Sequence, residues 1–187
     1  MFRVLAILYA LVCVTPALAQ MKLPAGLDPQ NTILLDSAHG RIVIKLRTDI
    51  APKHAEMIKL LAREGFYNNV PFHRVMDGFM AQTGDGKNFD GTGHSDHPNP
   101  PDEFSKVSFQ RGIVGMASTG QPNSSNSQFF IVYGDASFLD GKYSVVGEVA
   151  SGMDVADKLK KAPPGSQSGS VANPDKMVKV QVAADMK

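Results

Sequence analysis

The stretch that decides how this chain is interpreted is Phe72-His73-Arg74-Val75-Met76-Asp77-Gly78-Phe79-Met80-Ala81-Gln82. The sequence predicts two short strands here, Val70 to Met76 and Met80 to Thr83. Met80 and Gln82 alternate correctly to share one strand face. Arg74 lies in the middle of a strand, and on its own it would be interpreted as an ordinary surface residue, because arginine is mostly exposed in proteins.

Further short strands are predicted on both sides of this stretch from alternating or apolar runs. They are Thr32 to Asp36, Arg41 to Leu46, Gly112 to Ala117, Gln128 to Tyr133, Ser144 to Val149 and Met177 to Val182, with a hairpin turn at Ala38-His39-Gly40. Two helices are predicted, Pro52 to Glu64 and Met153 to Lys160. About eight short strands without a βαβ rhythm predict a mainly β fold, an antiparallel sheet closed into an eight-stranded barrel that the helices cap. The segment from Gly84 to Pro101, rich in Gly, Asp, Asn and Pro, is predicted to be a long surface loop.

The N-terminal residues are predicted to be a cleavable secretory signal. Arg3 gives a basic n-region, Val4 to Val14 is an apolar h-region, and Ala17-Leu18-Ala19 is an A-x-A cleavage site before Gln20. The apolar run is shorter than the roughly 20 residues that span a membrane, so an uncleaved anchor is the weaker alternative. We therefore divide the chain into a signal at 1–19, a flexible lead-in at 20–31 and one domain at 32–187.

Cleavage would also change the cysteine content and the net charge of the mature chain. It removes Cys13, the single cysteine, and with Arg3 it lowers the basic count from 19 to 18, against 18 acidic residues. A chain without thiols excludes disulfides and thiol catalysis. The absence of a basic stripe argues against nucleic acid as a partner, and no later segment could span a membrane. A monomeric single domain is the default expectation.

Two downstream segments give the opening stretch its specific meaning. They are Ser127-Gln128-Phe129-Phe130 and Phe138-Leu139-Asp140-Gly141-Lys142-Tyr143. Together, and in this order, the three segments resemble the active-site motifs of the cyclophilin family of peptidyl-prolyl cis/trans isomerases. The resemblance covers Thr32 to Ala183. It implies an eight-stranded barrel flanked by two helices, and an isomerase that needs no metal or cofactor.

Arg74 becomes the candidate catalytic residue once this resemblance is taken into account. Rotation about a peptide bond meets a barrier of about 18–20 kcal/mol, because amide resonance is lost. A catalyst of this rotation needs a pocket for the proline ring and a donor that favours the twisted amide over the planar one. A guanidinium with five N–H donors suits that role better than a flexible ammonium.

The other candidate residues fall into two groups. An apolar wall for the proline ring is expected from Phe79, Met80, Phe130 and Leu139, with Phe138 at the rim. Contacts to the peptide are expected from Gln82, Gly91, Ala117, Ser118, Thr119, Gln128 and Tyr143. For each one taken singly, core packing or solvent exposure is the simpler interpretation. Phe129 and Phe130 are adjacent on a strand, so one should face the barrel interior and the other the groove.

Three positions depart from the family's usual pattern. Ser118 stands where Asn is common, which backbone-mediated binding would tolerate. Phe138 stands where the best-known members have Trp, and it lacks the indole N–H donor. Tyr143 replaces His and keeps a polar ring. Such aromatic replacements are usual in the periplasmic bacterial branch, and Phe138 predicts weak binding of cyclosporin A, the inhibitor associated with the family.

Other signals carry less weight. His94-Ser95-Asp96-His97 offers two histidines but no obvious third ligand, and three or four are the norm for zinc. No Gly-x-Ser-x-Gly elbow supports a serine hydrolase. His73 should point away from Arg74 and is interpreted as a hydrogen-bonded structural residue.

We therefore predict an exported prolyl isomerase, located in the periplasm or alternatively secreted. Its partners would be proline-containing unfolded or partly folded polypeptides, whose folding it assists. A non-catalytic peptide-binding module or holding chaperone is the rival, and Arg74 argues against it, because a pure binder needs no guanidinium at this place.

Overall fold

The computed structural model describes residues 23–186. The predicted signal at 1–19 lies outside the described residues. Of the predicted flexible lead-in, residues 23–31 are described, and they pack against the domain. Leu23 and Leu27 cover a small cluster formed by Leu34, Val43 and Ala183. This part of the lead-in is therefore attached to the sheet.

Within residues 23–186, ten strands and two α-helices build the domain. The strands are β1 (Thr32–Ser37), β2 (Gly40–Leu46), β3 (Val70–Pro71), β4 (Arg74–Met76), β5 (Met80–Thr83), β6 (Ile113–Met116), β7 (Phe129–Val132), β8 (Val145–Ser151), β9 (Lys176–Met177) and β10 (Lys179–Val182). The helices are α1 (Pro52–Arg63) and α2 (Met153–Ala156). Short 3₁₀ turns lie at Pro29–Asn31, Ser137–Leu139 and Ala183–Asp185. Within the described residues, no helix has the length and apolar character needed to cross a bilayer.

Eight strands form one antiparallel sheet in the order β10-β1-β2-β8-β6-β7-β5-β4. The mainly β architecture with two helices is confirmed, but the predicted closure of the barrel is not. Among the described residues, β4 and β10 end the sheet without pairing with each other, so the sheet is a curled half-barrel. The ribbon of β3 and β9 stands at this opening, since β3 leads into β4 and β9 leads into β10.

Three predicted elements are divided or shortened in the structure, and one of them, the strand from Met177 to Val182, is interrupted at Val178 between β9 and β10. The strand predicted from Val70 to Met76 changes partner midway: β3 pairs with β9, whereas β4 pairs with β5. β3 ends at Pro71, although the amide of Phe72 still donates to the carbonyl of Asp175 at 2.9 Å. The second helix ends at Ala156 and continues only as a turn towards Lys160.

The helix α1 lies against the sheet through an apolar stripe, in which Ala55, Ile58 and Leu61 are all buried. Its start has no cap of its own, because Ala51 precedes Pro52. Glu103 supplies the cap from a distant loop, accepting hydrogen bonds from the amides of Lys53 and His54 at 3.0 and 2.9 Å. Burial alone would raise the pKa of Glu103, but these two hydrogen bonds and the contact with the His54 ring at 2.7 Å together lower it.

The buried apolar side chains separate into two main clusters on opposite faces of β7. The interior cluster lies between the sheet and α1 and includes Ile33, Ile44, Leu61, Tyr67, Phe129, Ile131 and Val180. The pocket-side cluster consists of Met80, Phe109, Phe130, Val132, Ala136, Leu139 and Val145. The split between Phe129 and Phe130 confirms the prediction that the adjacent rings face opposite ways. The candidate site lies on this pocket-side cluster and shares Met80, Phe130 and Leu139 with it.

Candidate active site

Four neighbouring strands place one row of residues on the pocket-side face of the sheet. Arg74 of β4 pairs with Gln82 of β5, Gln82 pairs with Phe130 of β7, and Phe130 pairs with Gly115 of β6. Directly paired residues in neighbouring antiparallel strands have side chains on the same face. The register of the sheet therefore brings a cation, an amide and an aromatic ring side by side.

A pocket of about 110 Å³ opens above this row. Its lining contains nine of the predicted site residues: Arg74, Phe79, Met80, Gln82, Ala117, Ser118, Phe130, Leu139 and Tyr143. The floor is apolar, and the polar groups of Arg74, Gln82 and Ser118 stand on its border. Such a pocket can hold a small apolar ring while leaving an adjacent peptide bond within reach of donors.

The floor of the pocket is held by aromatic packing. The Phe130 ring stacks on Phe109 with a centroid distance of 5.8 Å and meets Tyr143 edge-on at 5.9 Å. Gly115 lies beneath both phenylalanines. A Cβ at position 115 would stand 2.5 Å from Cζ of Phe130 and 2.6 Å from Cε1 of Phe109. Because Gly115 has no side chain, the rings of Phe109 and Phe130 have room to pack above it.

Arg74 has no acidic partner among the described residues. Its Nε donates to the carbonyl of Ser168 at 2.9 Å, and its Nη1 donates to Oε1 of Gln82 at 3.3 Å. Burial lowers the pKa of Arg74, an effect that Tyr143 opposes, and a guanidinium nevertheless stays protonated at neutral pH. The result is a half-buried, oriented cation whose charge is not neutralised by a carboxylate.

A chain of amide groups continues from Arg74 along the border of the pocket. Nε2 of Gln82 donates to Oε1 of Gln128 at 3.0 Å. Nε2 of Gln128 donates in turn to the carbonyls of Gly91 and Gly93 at 2.9 and 2.7 Å. Each group orients the next, so the orientation of Arg74 is coupled to the backbone of the 91–93 segment.

Asp85 holds that segment in place, although it lies in the loop that was predicted to be at the surface. The side chain is fully buried and accepts hydrogen bonds from the amides of Lys87, Asn88, Gly91 and Gly93 at 2.9–3.0 Å. Burial alone would raise the pKa of Asp85, but these amides lower it to about 2. The prediction of a surface loop is therefore wrong around Asp85 and for Ser95, which is also buried.

His73 lies beneath the same loop and points away from Arg74, as predicted. A Cβ on Gly91 would stand 2.8 Å from the imidazole ring, so only a glycine fits over it. Neither ring nitrogen of His73 has a hydrogen-bond partner within residues 23–186, so the predicted hydrogen bond is not found. Burial lowers the pKa of His73, which keeps the ring neutral at pH 7.

A polar depression of about 120 Å³ adjoins the pocket and shares Gln82, Ala117 and Ser118 with it. It is also lined by Gly91, Thr119 and Gln128, three further predicted site residues. The Oγ of Ser118 donates to or accepts from Ser124 Oγ at 2.8 Å. The main-chain groups of Ser118 have no partner in the described part of the chain, which leaves them available to a bound backbone.

Phe138 completes the predicted set as a rim residue. It is 60% exposed and contacts Phe79 with a ring-centroid distance of 5.5 Å. It does not line the pocket itself, in contrast to Leu139, which is buried beside it.

The histidines of the His94–His97 segment have separate partners. His97 contacts the carboxylate of Glu64 at 3.0 Å, and Nδ1 of His94 contacts the carbonyl of Ser95 at 2.7 Å. In the 23–186 range, no group of three or more His, Cys, Asp or Glu side chains is arranged as a metal site.

The sequence reasoning did not identify three residues that shape the site. Gly115 was signalled only by being a glycine inside a strand, which indicates close approach of a neighbour. Asp85 was hidden in a loop whose composition indicates exposure. Ser168, whose carbonyl orients Arg74, lies 94 residues away in a loop that carries no recognisable motif.

A family model, "Cyclophilin type peptidyl-prolyl cis-trans isomerase/CLD", matches residues 32–182. The chain is a member of the cyclophilin family. This cyclophilin is 53% identical over 170 residues to a Brucella suis protein named "probable peptidyl-prolyl cis-trans isomerase", and the match covers 86% of each chain. It is 42% identical over 139 residues to the peptidyl-prolyl cis-trans isomerase of Encephalitozoon cuniculi, covering 71% of this chain and 78% of that protein.

Solved structures agree with this assignment. A cyclophilin from Hirschia baltica superposes with a TM-score of 0.75 at 27% identity, covering 86% of this chain and 77% of that one. A Cryptosporidium parvum cyclophilin determined in the presence of the dipeptide Ala-Pro gives 0.71 at 25% identity, covering 81% and 98%. The chain is thus a peptidyl-prolyl cis/trans isomerase, and the predicted family is confirmed.

Proposed function

We propose that this isomerase acts on exposed Xaa-Pro bonds of unfolded or partly folded exported polypeptides, with Arg74 as the electrostatic catalyst. The single observation that carries the proposal is a half-buried guanidinium, without an acidic partner among the described residues, in a pocket that it shares with the apolar side chains of Met80, Phe130 and Leu139. The pocket fits a proline ring, and the cation lies where the adjacent amide would twist.

The chemistry needs no covalent step. When the Xaa-Pro amide twists, its nitrogen loses conjugation with the carbonyl and becomes more basic. A donor placed beside this nitrogen stabilises the twisted amide more than the planar one, which is the condition for catalysis. Arg74 is already partly desolvated and is oriented by Ser168 and Gln82, so little reorganisation is needed when the amide twists.

The polar border would hold the substrate backbone. Free main-chain groups at Ser118 and the amide side chains of Gln82 and Gln128 can pair with an extended peptide, with Gly91, Ala117 and Thr119 along its course. Tyr143 faces the pocket and would contact the residue next to the proline. Phe138 and Phe79 would cover the ring from the rim.

The N-terminal sequence supports export. The basic, apolar and A-x-A pattern of residues 1–19 would carry the chain across a membrane and release it at Gln20, in the periplasm or, alternatively, outside the cell. There the isomerase would assist the folding of other exported proteins, whose Xaa-Pro exchange otherwise takes roughly 10–100 s. We propose that the mature chain works as a monomer, which light scattering would test.

The deciding experiment is exchange NMR on a short Xaa-Pro peptide with residues 20–187 and two variants. Arg74→Ala is expected to lower kcat/KM by about 100-fold or more, the size seen when one key transition-state donor is removed. Arg74→Lys keeps the charge without the planar fork and should recover only part of the activity. A folded Arg74→Ala protein with native activity would refute the role of Arg74.

Cyclosporin A provides a second test, at the rim. We expect weak binding by the native chain, because Phe138 has no indole N–H. Phe138→Trp should tighten binding in a calorimetric titration while leaving stability within about 0.5 kcal/mol, since position 138 is exposed. Tight binding by the native chain would show that the indole is unnecessary.

A further inference from the structure

The thioether of Met76 lies directly against the catalytic candidate. Its Sδ is 3.2 Å from Nη2 of Arg74. Residues 74 and 76 are two positions apart on β4, so their side chains share one face of the strand. A thioether is a weak hydrogen-bond acceptor, so this contact hardly competes with a substrate for the guanidinium.

Met76 also differs from most other methionines of the domain in exposure. Met57, Met80, Met116 and Met177 are buried, whereas Met76 is partly exposed. Met80 also lies near Arg74, with Sδ 4.0 Å from Nη1, but its side chain is closed off from solvent. Oxidation follows exposure, so of the two methionines beside Arg74, Met76 is the more accessible.

We propose that Met76 is an oxidation site through which a hydroperoxide reversibly lowers the activity of this isomerase. The Sδ lone pair attacks hydrogen peroxide, the O–O bond breaks, one oxygen stays on sulfur as the sulfoxide, and the other leaves as water. The thioether loses two electrons and the peroxide gains them. Methionine sulfoxide reductases reverse the change.

The surroundings of Met76 explain why one added oxygen would matter. A Cβ on Gly169 would stand 2.5 Å from Cγ and 3.1 Å from Sδ of Met76, so the loop at 166–170 closes one side of the thioether. Arg74 closes another side. The same loop binds Arg74 through the carbonyl of Ser168. A sulfoxide oxygen therefore either displaces the guanidinium or accepts a hydrogen bond from it.

Either outcome draws Arg74 away from a substrate. A sulfoxide is a strong acceptor, and a hydrogen bond between it and the charged guanidinium must be broken before the twisted amide can take its place. We expect kcat/KM of fully oxidised protein to fall roughly tenfold, the effect of one such charged hydrogen bond. This inference rests on the proposed role of Arg74, which the Arg74→Ala measurement tests independently.

The test treats three proteins with hydrogen peroxide: the native chain, Met76→Leu and Met153→Leu. Met153 is a matched control, because it is partly exposed but lies in α2. Each oxidised protein is compared with its own untreated form, and mass spectrometry gives the fraction of sulfoxide at each methionine. Leucine replaces methionine with little change of volume, so both variants should fold.

The expected result is a loss of activity in the native chain and in Met153→Leu that follows the Met76 sulfoxide fraction. Met76→Leu should keep its activity after the same treatment, and sulfoxide reductases A and B should restore the native chain. The proposal is overturned if Met76 resists oxidation while Met153 oxidises, if Met76 oxidises without loss of activity, or if Met76→Leu is inhibited as strongly as the native chain.

Discussion

The interior cluster and the pocket-side cluster are built from alternate residues of the same strands, yet they differ in what covers them. Helix α1 and the opposite strands close the interior cluster, and Phe129 packs edge-on against Tyr67 at 5.6 Å. The pocket-side cluster is covered only in part, and the pocket opens where Phe130 meets Tyr143. Phe129 and Phe130 thus have similar burial in the free protein but different neighbours.

This difference shows how one strand can serve stability and function at once. Burial of an interior ring stabilises the fold whether or not substrate is bound. The ring of Phe130 is also almost fully buried in the free protein, but the small part that stays exposed lines the pocket and is available to a ligand. Substitutions on the two faces of β7 should therefore separate the two effects.

The largest effect is expected from removing the two rings one at a time. Phe129→Ala should lower the free energy of unfolding by about 3–5 kcal/mol, because it leaves a cavity in a closed core. Phe130→Ala should cost less stability, about 3 kcal/mol or below, since solvent can enter the space. Its kcat/KM should nevertheless fall roughly tenfold as the proline ring loses its floor.

Urea unfolding followed by circular dichroism, combined with the isomerase assay on the folded fraction, measures both quantities. Equal activity losses in Phe129→Ala and Phe130→Ala would remove the functional distinction between the two faces.

A smaller effect is expected from filling space beneath the rings. Gly115→Ala would push against Phe130 and Phe109 and should cost about 1–3 kcal/mol of stability. It should also reduce kcat/KM, because the displaced Phe130 narrows the pocket. Gly147→Ala is the interior counterpart, with a Cβ 2.9 Å from Cγ2 of Ile44, and it should lose stability while keeping kcat/KM. The comparison fails if both variants lose activity to the same extent.

The smallest effect concerns the polar border of the pocket and depends on pH. The pKa of Asp85 is about 2 in the folded chain and near 3.9 in an unfolded one. A depressed carboxyl pKa stabilises the fold at pH values above the unfolded pKa, and this stabilisation disappears as the pH falls through 2. Roughly 2 kcal/mol should therefore be lost between about pH 4 and pH 2.

Asp85→Asn should flatten this part of the stability profile and also lower activity at pH 7, because the 91–93 segment orients Gln128. Carbon-13 NMR of the carboxyl group reports its titration directly. A normal pKa for Asp85 would contradict the hydrogen-bond arrangement at the loop.

Sequence patterns were sufficient for the elements whose signal is local. The strand pair at 32–46 shows alternation and a turn, and α1 begins at Pro52, a residue that suits the first turn of a helix. Every site residue predicted from the three motifs lies in or beside the pocket, although their roles stay predictions. The motifs predict these positions correctly because residues two apart on a strand have their side chains on the same face of the sheet.

The remaining features depend on contacts between distant segments. Glu103 caps a helix that begins 51 residues earlier, and Asp85 is buried by amides of its own loop, which composition alone indicates to be exposed. The predicted strand from Val70 to Met76 is divided in two, because its first part, β3, pairs with β9 and its second part, β4, pairs with β5. Which strand pairs with which depends on the assembled fold, and this choice of partner leaves no periodic pattern in the sequence.

The order of strands has a consequence for synthesis. β1 is made first and β10 last, yet they are neighbours in the sheet, with Ile33 opposite Val182. One side of β1 stays unpaired until the final residues emerge, and pairing across so long a separation forms slowly. The growing chain therefore lacks a completed sheet throughout translation. A translocation channel that accepts unfolded polypeptides would thus meet this protein before it could fold, which suits the export that we propose.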